Sequence, residues 1–185
     1  MAQFQLAFNK TMVSGGGYSN NPVDRGGETY REIARNHHPM WPGWAKIDVL
    51  KKTTVLGPAT IIPELEPDVM AFFKTNYWDM IGGDFIPDQG LANMIFDCTV
   101  LCGQIFAIKT WQDTLDRVIT DTDIDGAWGK QTEGNTLQAC HSEFFGPAKD
   151  LFKYAWLSHL VAIIRKRPEQ KVFLYGWTLR VLSHC

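Results

Sequence analysis

The chain has 185 residues, of which 45% are hydrophobic, 12% aromatic and 21% charged, and its net charge is −2. This composition is typical of a folded protein with one substantial core, and the sequence has no stripe of basic residues that would indicate a nucleic-acid-binding protein. Because no apolar run approaches the ~20 residues that span a bilayer, we predict no membrane insertion.

The first third of the sequence predicts helices on either side of a glycine-rich loop. Apolar residues at helical spacing indicate a helix over residues 3–14, and the glycines at 15–17 end it. Residues 18–27 are rich in Asn, Pro and Gly, which is typical of a loop. Residues 29–36 are then predicted to form a second helix, and residues 45–56 a third.

The rest of the sequence also predicts helices. Pro67 suits the first residue of a helix. Residues 88–102 are apolar nearly all round, which predicts a central buried helix. Further helices are predicted over 105–115, 130–141, 147–165 and 173–182. Because almost no segment alternates apolar and polar residues with the period of a strand, we predict a mainly α protein.

The cysteines and acidic residues do not predict a bound metal. The chain has four cysteines, at Cys98, Cys102, Cys140 and Cys185. They form no Cys-x-x-Cys pair and lie at no zinc spacing from the histidines, so we predict a reduced, cytosolic type of thiol set. Residues 121–126 are similar to a calcium loop, but its twelfth position would be Thr132 rather than Glu. We predict no metal and no cofactor.

A series of short motifs, in order, carries a resemblance to a known family. Residues 15–18 read Gly-Gly-Gly-Tyr, and after an Asn- and Pro-rich loop residues 26–29 read Gly-Gly-Glu-Thr. This resembles the opening signature of glycoside hydrolase family 108, in which Glu-Gly-Gly-Tyr leads into Gly-Gly-x-Thr. Residues 95–103 resemble the buried Phe-Asp helix of that family. Residues 123–132 and 167–181 are similar to a peptidoglycan-binding-like region that accompanies it.

The resemblance covers nearly the whole chain and implies both a fold and an activity. The implied fold is mainly α, a lysozyme-like muramidase fold with an α-helical C-terminal lobe that is peptidoglycan-binding-like. We expect a muramidase-like region at 1–85 and a helical region at 86–185, joined in one compact unit. The activity of the family is hydrolysis of the β-1,4 bond between N-acetylmuramic acid and N-acetylglucosamine, which needs no cofactor.

The same resemblance implies a catalytic site that lacks one group. The family Glu is the proton donor, and its aligned position here is Gly15, which has no side chain to transfer a proton. The resemblance implies Asp24, nine residues on, and Thr29, five further, as the remaining catalytic residues. By residue type alone, Asp24 is equally explained as a loop carboxylate that bonds the backbone ahead of Gly26, and Thr29 as a helix N-cap. The predicted substrate-binding residues are Tyr18, Asn21, Gly26, Gly27, Asp97 and Trp128.

Further departures from the family pattern surround the same cleft. Asn21 stands where the family often has Asp, Leu101 replaces an Asn, and Glu32 stands where the family usually has Gly. Together with Gly15, these changes indicate a site released from catalysis, since general acid transfer contributes roughly 10²–10⁴-fold to the rate. The alternative that Glu28 or Glu32 has taken over the acid role stays open.

We therefore predict a peptidoglycan-directed muramidase-fold protein with impaired hydrolysis. Two alternatives remain: a non-enzymatic scaffold or interaction protein of a phage or secretion system, and an active lysozyme of which this chain is an inactivated variant. The predicted ligand is the glycan strand of peptidoglycan, with a phage or secretion-system component as a further partner. Because the first ten residues lack the basic and apolar segments of a signal peptide, we expect synthesis in the bacterial or phage-infected cytoplasm and action in the periplasm or at the cell wall after delivery.

Overall fold

The computed structural model describes residues 1–119 and 121–184, so the predicted thiol of Cys185 lies outside the described part of the chain. The helices are α1 (Phe4–Gly15), α2 (Gly43–Leu50), α3 (Glu66–Phe73), α4 (Gln89–Cys102), α5 (Gln104–Val118), α6 (Lys130–Cys140), α7 (Phe145–Lys166) and α8 (Leu174–Leu182). An antiparallel sheet contains β1 (Tyr18–Asn20), β2 (Glu28–Tyr30) and β3 (Ile33–Ala34), in that order. Short 3-10 or π-helical turns occupy Pro63–Leu65, Lys74–Trp78, Asp79–Ile81, Gly83–Phe85 and Pro168–Phe173.

Most of the predicted helices are confirmed to within three residues at each end. The central helix α4 begins after Asp88, whose side chain accepts a hydrogen bond from the Leu91 backbone N–H at 2.7 Å and so caps the first turn. The exception is α2, which ends at Leu50 rather than residue 56. Residues 53–55 are the β-branched run Thr-Thr-Val, which favours leaving the helix.

The prediction of a helix over residues 29–36 is wrong. Strands β2 and β3 form a hairpin there, with Tyr30 opposite Ile33 and both side chains fully buried. The two residues between them, Arg31 and Glu32, have φ values of 49° and 66°, and a two-residue turn of type I′ requires positive φ at both positions. The Arg31 backbone N–H donates to the carbonyl oxygen of Gly17 at 2.9 Å, which docks the hairpin turn on the glycine triplet.

Helix α4 is the centre of the core. Helices α1 and α5 pack against it, and α7 packs against both α5 and α8. The largest fully buried side chains include three tryptophans, Trp78, Trp111 and Trp156. The backbone N–H of Ala2 donates to the carbonyl oxygen of Ile86 at 2.8 Å. Residues on both sides of the boundary expected near residue 85 therefore share one hydrophobic cluster.

The described chain is mainly α, as the lack of strand alternation predicts. None of the helices in residues 1–119 and 121–184 combines the length and the apolar character that crossing a membrane requires. The thiols of Cys98, Cys102 and Cys140 are free. Burial raises the pKa of the Cys98 thiol well above its usual value, so this residue behaves as a small apolar core side chain.

Candidate active-site cleft

A cleft of about 540 Å³ opens where the end of α1, the β2–β3 hairpin, the end of α4 and the C-terminal segment meet. The first half of the chain lines it with Ser14, Gly15, Ser19, Asp24, Arg25, Gly26, Thr29, Glu32, Ala34 and His37. The second half lines it with Val100, Leu101, Ile163, Arg167, Gln170, Val172, Phe173, Gly176, Trp177 and Arg180. A concave site with convergent polar groups is the default candidate for ligand binding.

The three glycines at residues 15–17 differ in whether the backbone requires a glycine at their position. Gly16 has a φ of +61°, the left-handed region that favours glycine. A Cβ on Gly17 would lie 2.1 Å from the carbonyl oxygen of Thr60, so the backbone must approach closely there. Gly15 is the last residue of the helix and has neither constraint. Its lack of a side chain is therefore not required by the backbone.

The space beside Gly15 is filled by Glu32. A Cβ built on Gly15 would lie 2.6 Å from Cγ and 2.7 Å from Oε1 of Glu32. Glu32 reaches this space from the hairpin turn, with its backbone in the left-handed region, which costs a residue other than glycine roughly 1–2 kcal/mol. The carboxylate of Glu32, which comes from the hairpin turn, therefore occupies the space beside residue 15.

Glu32 is joined to a buried charged cluster at the C-terminus. Its Oε2 lies 3.3 Å from Nη1 of Arg180. The guanidinium of Arg180 also donates from Nε and Nη2 to the carboxylate of Asp97 at 2.7–3.0 Å, and Nε2 of His184 lies 2.9 Å from Asp97 Oδ2. Burial alone would raise the pKa of Asp97, but the charge of Arg180 and the hydrogen bonds from His184 and Arg180 hold it well below its usual value. Arg180 therefore carries its charge inside the protein with two carboxylate partners.

The charge of Glu32 also acts on a neighbouring phenol. Tyr77 has its pKa raised to about 12, chiefly by burial and additionally by the negative charge of Glu32. Tyr77 consequently remains neutral through the physiological range, and Glu32 itself is paired with Arg180.

Asp24 and Thr29 lie together beneath Gly26. Oδ1 of Asp24 accepts a hydrogen bond from the Gly26 backbone N–H at 2.8 Å, so the loop-carboxylate interpretation of Asp24 is confirmed. A Cβ on Gly26 would lie 3.3 Å from this oxygen and 3.5 Å from Oγ1 of Thr29. Thr29 lies in strand β2 rather than at a helix N-terminus, and its hydroxyl donates to the carbonyl oxygen of Gly27. Both side chains line the cleft.

The C-terminal wall of the cleft is aromatic. The rings of Phe173 and Trp177 stack with centroids 5.6 Å apart and planes 27° apart, and both line the cleft. The side-chain amide of Gln170 donates to the carbonyl oxygen of Val23, which joins this wall to the Asn- and Pro-rich loop. Aromatic faces of this kind suit the apolar face of a pyranose ring.

Four of the predicted site residues line the cleft and five do not. Gly15, Asp24, Gly26 and Thr29 are brought together there. Tyr18 is buried and its hydroxyl donates to Glu28, while the side chain of Asn21 accepts from the Val23 backbone within the loop. Gly27 has a φ of +67° in the turn before β2. Asp97 is buried as the partner of Arg180, and Trp128 packs against Gly82, so neither side chain lines the cleft.

Sequence reasoning did not single out Phe173, Trp177 or Arg180 as site residues. All three fall within the C-terminal motif at 167–181, so the motif itself was the available signal. What the sequence cannot give is the pairing of Glu32 with Arg180, because the two residues are distant in the chain and meet only in the fold.

Comparisons with known proteins agree with this fold. Residues 8–103, which include most of α1, the hairpin and α4, match the Glycosyl hydrolase 108 family. Among solved structures, SagA of Brucella abortus is similar with a TM-score of 0.67 and 21% identity, over 98% of this chain and 90% of that one. The likeness shows that the two chains share a fold, which for this chain is the predicted mainly α, lysozyme-like fold. No curated protein matches the chain.

Proposed function

The chain belongs to the glycosyl hydrolase 108 family, and from this premise we propose that it binds the glycan strands of peptidoglycan in the cleft and hydrolyses them slowly. Its fold is that of a peptidoglycan hydrolase. The proposed site of action is the bacterial cell wall. The observation that carries the proposal is Gly15, which lines the cleft beside Asp24 and Thr29 without a carboxyl group of its own.

Glycan binding is supported by the shape and chemistry of the cleft. Phe173 and Trp177 offer a broad aromatic wall, and Asp24, Thr29 and Arg167 offer polar groups that can bond to sugar hydroxyl and acetamido groups. Pockets that are largely apolar with a few converging polar groups bind ligands of this kind. None of these features depends on a carboxyl group at residue 15.

Slow hydrolysis follows from the missing side chain. The departing sugar oxygen needs a proton, and a positioned general acid contributes roughly 10²–10⁴-fold to the rate. The remaining parts of the cleft, including Asp24 and Thr29, retain their contacts around Gly26.

The contact between Gly15 and Glu32 argues against an inactivated variant of an ordinary enzyme. A Cβ on residue 15 would lie 2.6 Å from Cγ of Glu32, so a Glu at residue 15 would require the side chain of Glu32 to move. The present residues at 15 and 32 fit each other, which favours Gly15 as the residue of the natural chain.

Binding is tested by sedimentation with purified peptidoglycan sacculi. We expect the wild-type chain to sediment with sacculi and Trp177→Ala to bind at least about tenfold more weakly, which corresponds to about 1.4 kcal/mol. Tyr175→Ala is the matched control, because Tyr175 is an exposed aromatic residue on the same helix that does not line the cleft. If the folded wild-type chain does not sediment, glycan binding is refuted and the scaffold alternative is favoured.

The proposed cause of slow hydrolysis is tested by placing a carboxyl group on residue 15. The double variant Gly15→Glu with Glu32→Gly removes the competing side chain and should clear sacculi about 10²–10⁴-fold faster than the wild type. Gly15→Glu alone should gain much less, since the new side chain meets Glu32. Brisk clearing by the wild type, or a folded and bound double variant that clears no faster, would contradict the proposed cause of the slow hydrolysis.

A further inference from the structure

We propose that a second pocket, formed by α1, α4, α7 and His184, binds the oxyanion group of a ligand, either a phosphate or a carboxylate. The pocket has a volume of about 180 Å³. The residues that line it differ from those that line the cleft, so it is a separate site. The proposal therefore does not depend on glycan binding in the cleft.

The charged side chains around this pocket are mostly cationic. They are those of Lys10, Lys149, Lys153 and Asp150. Asp150 is paired with Lys153 at 2.8 Å, and Nζ of Lys10 donates to the carbonyl oxygen of Ser183 at 2.9 Å. Lys149 has no carboxylate within ion-pair distance in residues 1–119 and 121–184. Three ammonium groups and one carboxylate leave an excess of positive charge, which attracts an anion.

Two helices begin at this pocket. Gly90 is the second residue of α4 and Gly146 is the second residue of α7, and both line the pocket. Backbone N–H groups in the first turn of a helix have no partner within the helix and favour anions. Asp88 already caps α4, but Phe144 provides no side-chain cap for α7. The Gly146 N–H meets no acceptor in the part of the chain that the structure describes, so it is a donor that an anion can use.

A buried polar atom at the pocket points independently to a bound group. His184 lines the pocket, and its side chain is only 2% exposed. Nε2 of His184 lies 2.9 Å from Oδ2 of Asp97 and carries the proton of that bond, because an ionised carboxylate only accepts. Nδ1 has no hydrogen-bond partner among the described residues. Since buried polar atoms are nearly always satisfied, Nδ1 is the ring atom that a group in the pocket would complete.

These donors together favour an oxyanion over a neutral ligand. A proton on Nδ1 makes His184 an imidazolium that donates one N–H to Asp97 and the other to the bound anion. The ammonium group of Lys149 and the N–H of Gly146 are further donors. Lysines act as point charges without the planar fork of arginine, so the tetrahedral oxygens of a phosphate suit them as well as a carboxylate does.

The test titrates the full chain at neutral pH and constant ionic strength with inorganic phosphate and, separately, with acetate. Isothermal titration calorimetry should show saturable binding of at least one of the two anions, and the tighter one identifies the class of oxyanion. Lys149→Gln should bind that anion about tenfold more weakly or worse, because a hydrogen bond to a charged group is lost. Lys46→Gln is the matched control and should bind as the wild type does, since Lys46 is an exposed lysine on α2 that does not line the pocket.

The ring of His184 reports where the anion binds. In nuclear magnetic resonance spectra of the chain with isotope-labelled histidine, the Nδ1 signal of His184 should shift and reach half-saturation at the anion concentration that calorimetry gives. His141 is exposed and outside the pocket, so its signals should not move. Saturation by neither anion, equal losses in the two lysine variants, or binding that leaves the His184 signal unmoved would overturn the proposal. Because sedimentation with sacculi tests the cleft separately, either proposal can fail without the other.

Discussion

Replacement of Asp97 by Asn should destabilise the protein more than any surface charge change. Asp97 and Arg180 are only 2% and 6% exposed, and Asp97 accepts two N–H groups of the guanidinium. Breaking a buried pair by removing one partner costs about 3–5 kcal/mol, because a charge is left buried without compensation. Glu32 remains as a second partner of Arg180, so we expect the lower end of this range.

The expected loss can be measured in two ways. A change of about 3 kcal/mol lowers the midpoint of thermal unfolding by about 6–12 °C for a chain of this length. Urea unfolding followed by tryptophan fluorescence gives the free energy directly, provided that the slope is unchanged. Asp113→Asn is the matched control, since Asp113 pairs with Arg117 one turn along α5 and both side chains are exposed. That change should cost less than about 0.5 kcal/mol.

A loss of less than about 1 kcal/mol in Asp97→Asn, with an unchanged slope, would show that the buried cation does not depend on its carboxylate. A loss as large in Asp113→Asn as in Asp97→Asn would show that burial does not set the cost, since burial is what separates the two pairs.

Three further outcomes are expected. The pKa of Asp97 is lower in the folded chain than in the unfolded one, so its contribution to stability is present above about pH 4 and is lost as the pH falls further. The difference in free energy of unfolding between the wild type and Asp97→Asn should therefore be smaller at pH 2.5 than at pH 6. Gly17→Ala should lower the free energy of unfolding by at least about 1 kcal/mol, because its Cβ would collide with the carbonyl oxygen of Thr60. Gly134→Ala is the control in an open position on α6 and should raise the free energy of unfolding by about 0.5–1 kcal/mol. Equal effects of the two substitutions would contradict this expectation. The buried thiol of Cys98 should react with iodoacetamide only after unfolding, as measured by mass spectrometry, and rapid labelling of the native chain would contradict its burial.

The helical part of the fold could be predicted from the sequence because its signals are local. Helix α4 is apolar nearly all round and begins at a capping Asp88, and both features can be read within a few residues. The hairpin could not be predicted in the same way. Its turn consists of Arg31 and Glu32 rather than the Asn and Gly that normally mark positive φ values, so the segment resembled the start of a helix.

The candidate site likewise has a part that local sequence signals predict and a part that depends on distant contacts. The absence of a carboxyl group at Gly15 and the spacing to Asp24 and Thr29 are properties of one short segment, and these residues do meet in the cleft. The position of Glu32 over Gly15 depends on the hairpin and on Arg180 from the last helix. A contact between three distant segments leaves no periodicity in the sequence, so only the fold reveals it.

The collision between residues 15 and 32 constrains how such a chain can change over generations. A mutation that restores Glu at residue 15 arrives in a space that Glu32 already fills, and a mutation that shortens Glu32 first removes a partner of Arg180. Either substitution alone therefore alters the packing beside residue 15 or the charge balance of Arg180, so we expect substitutions at residues 15 and 32 to be tolerated best in combination.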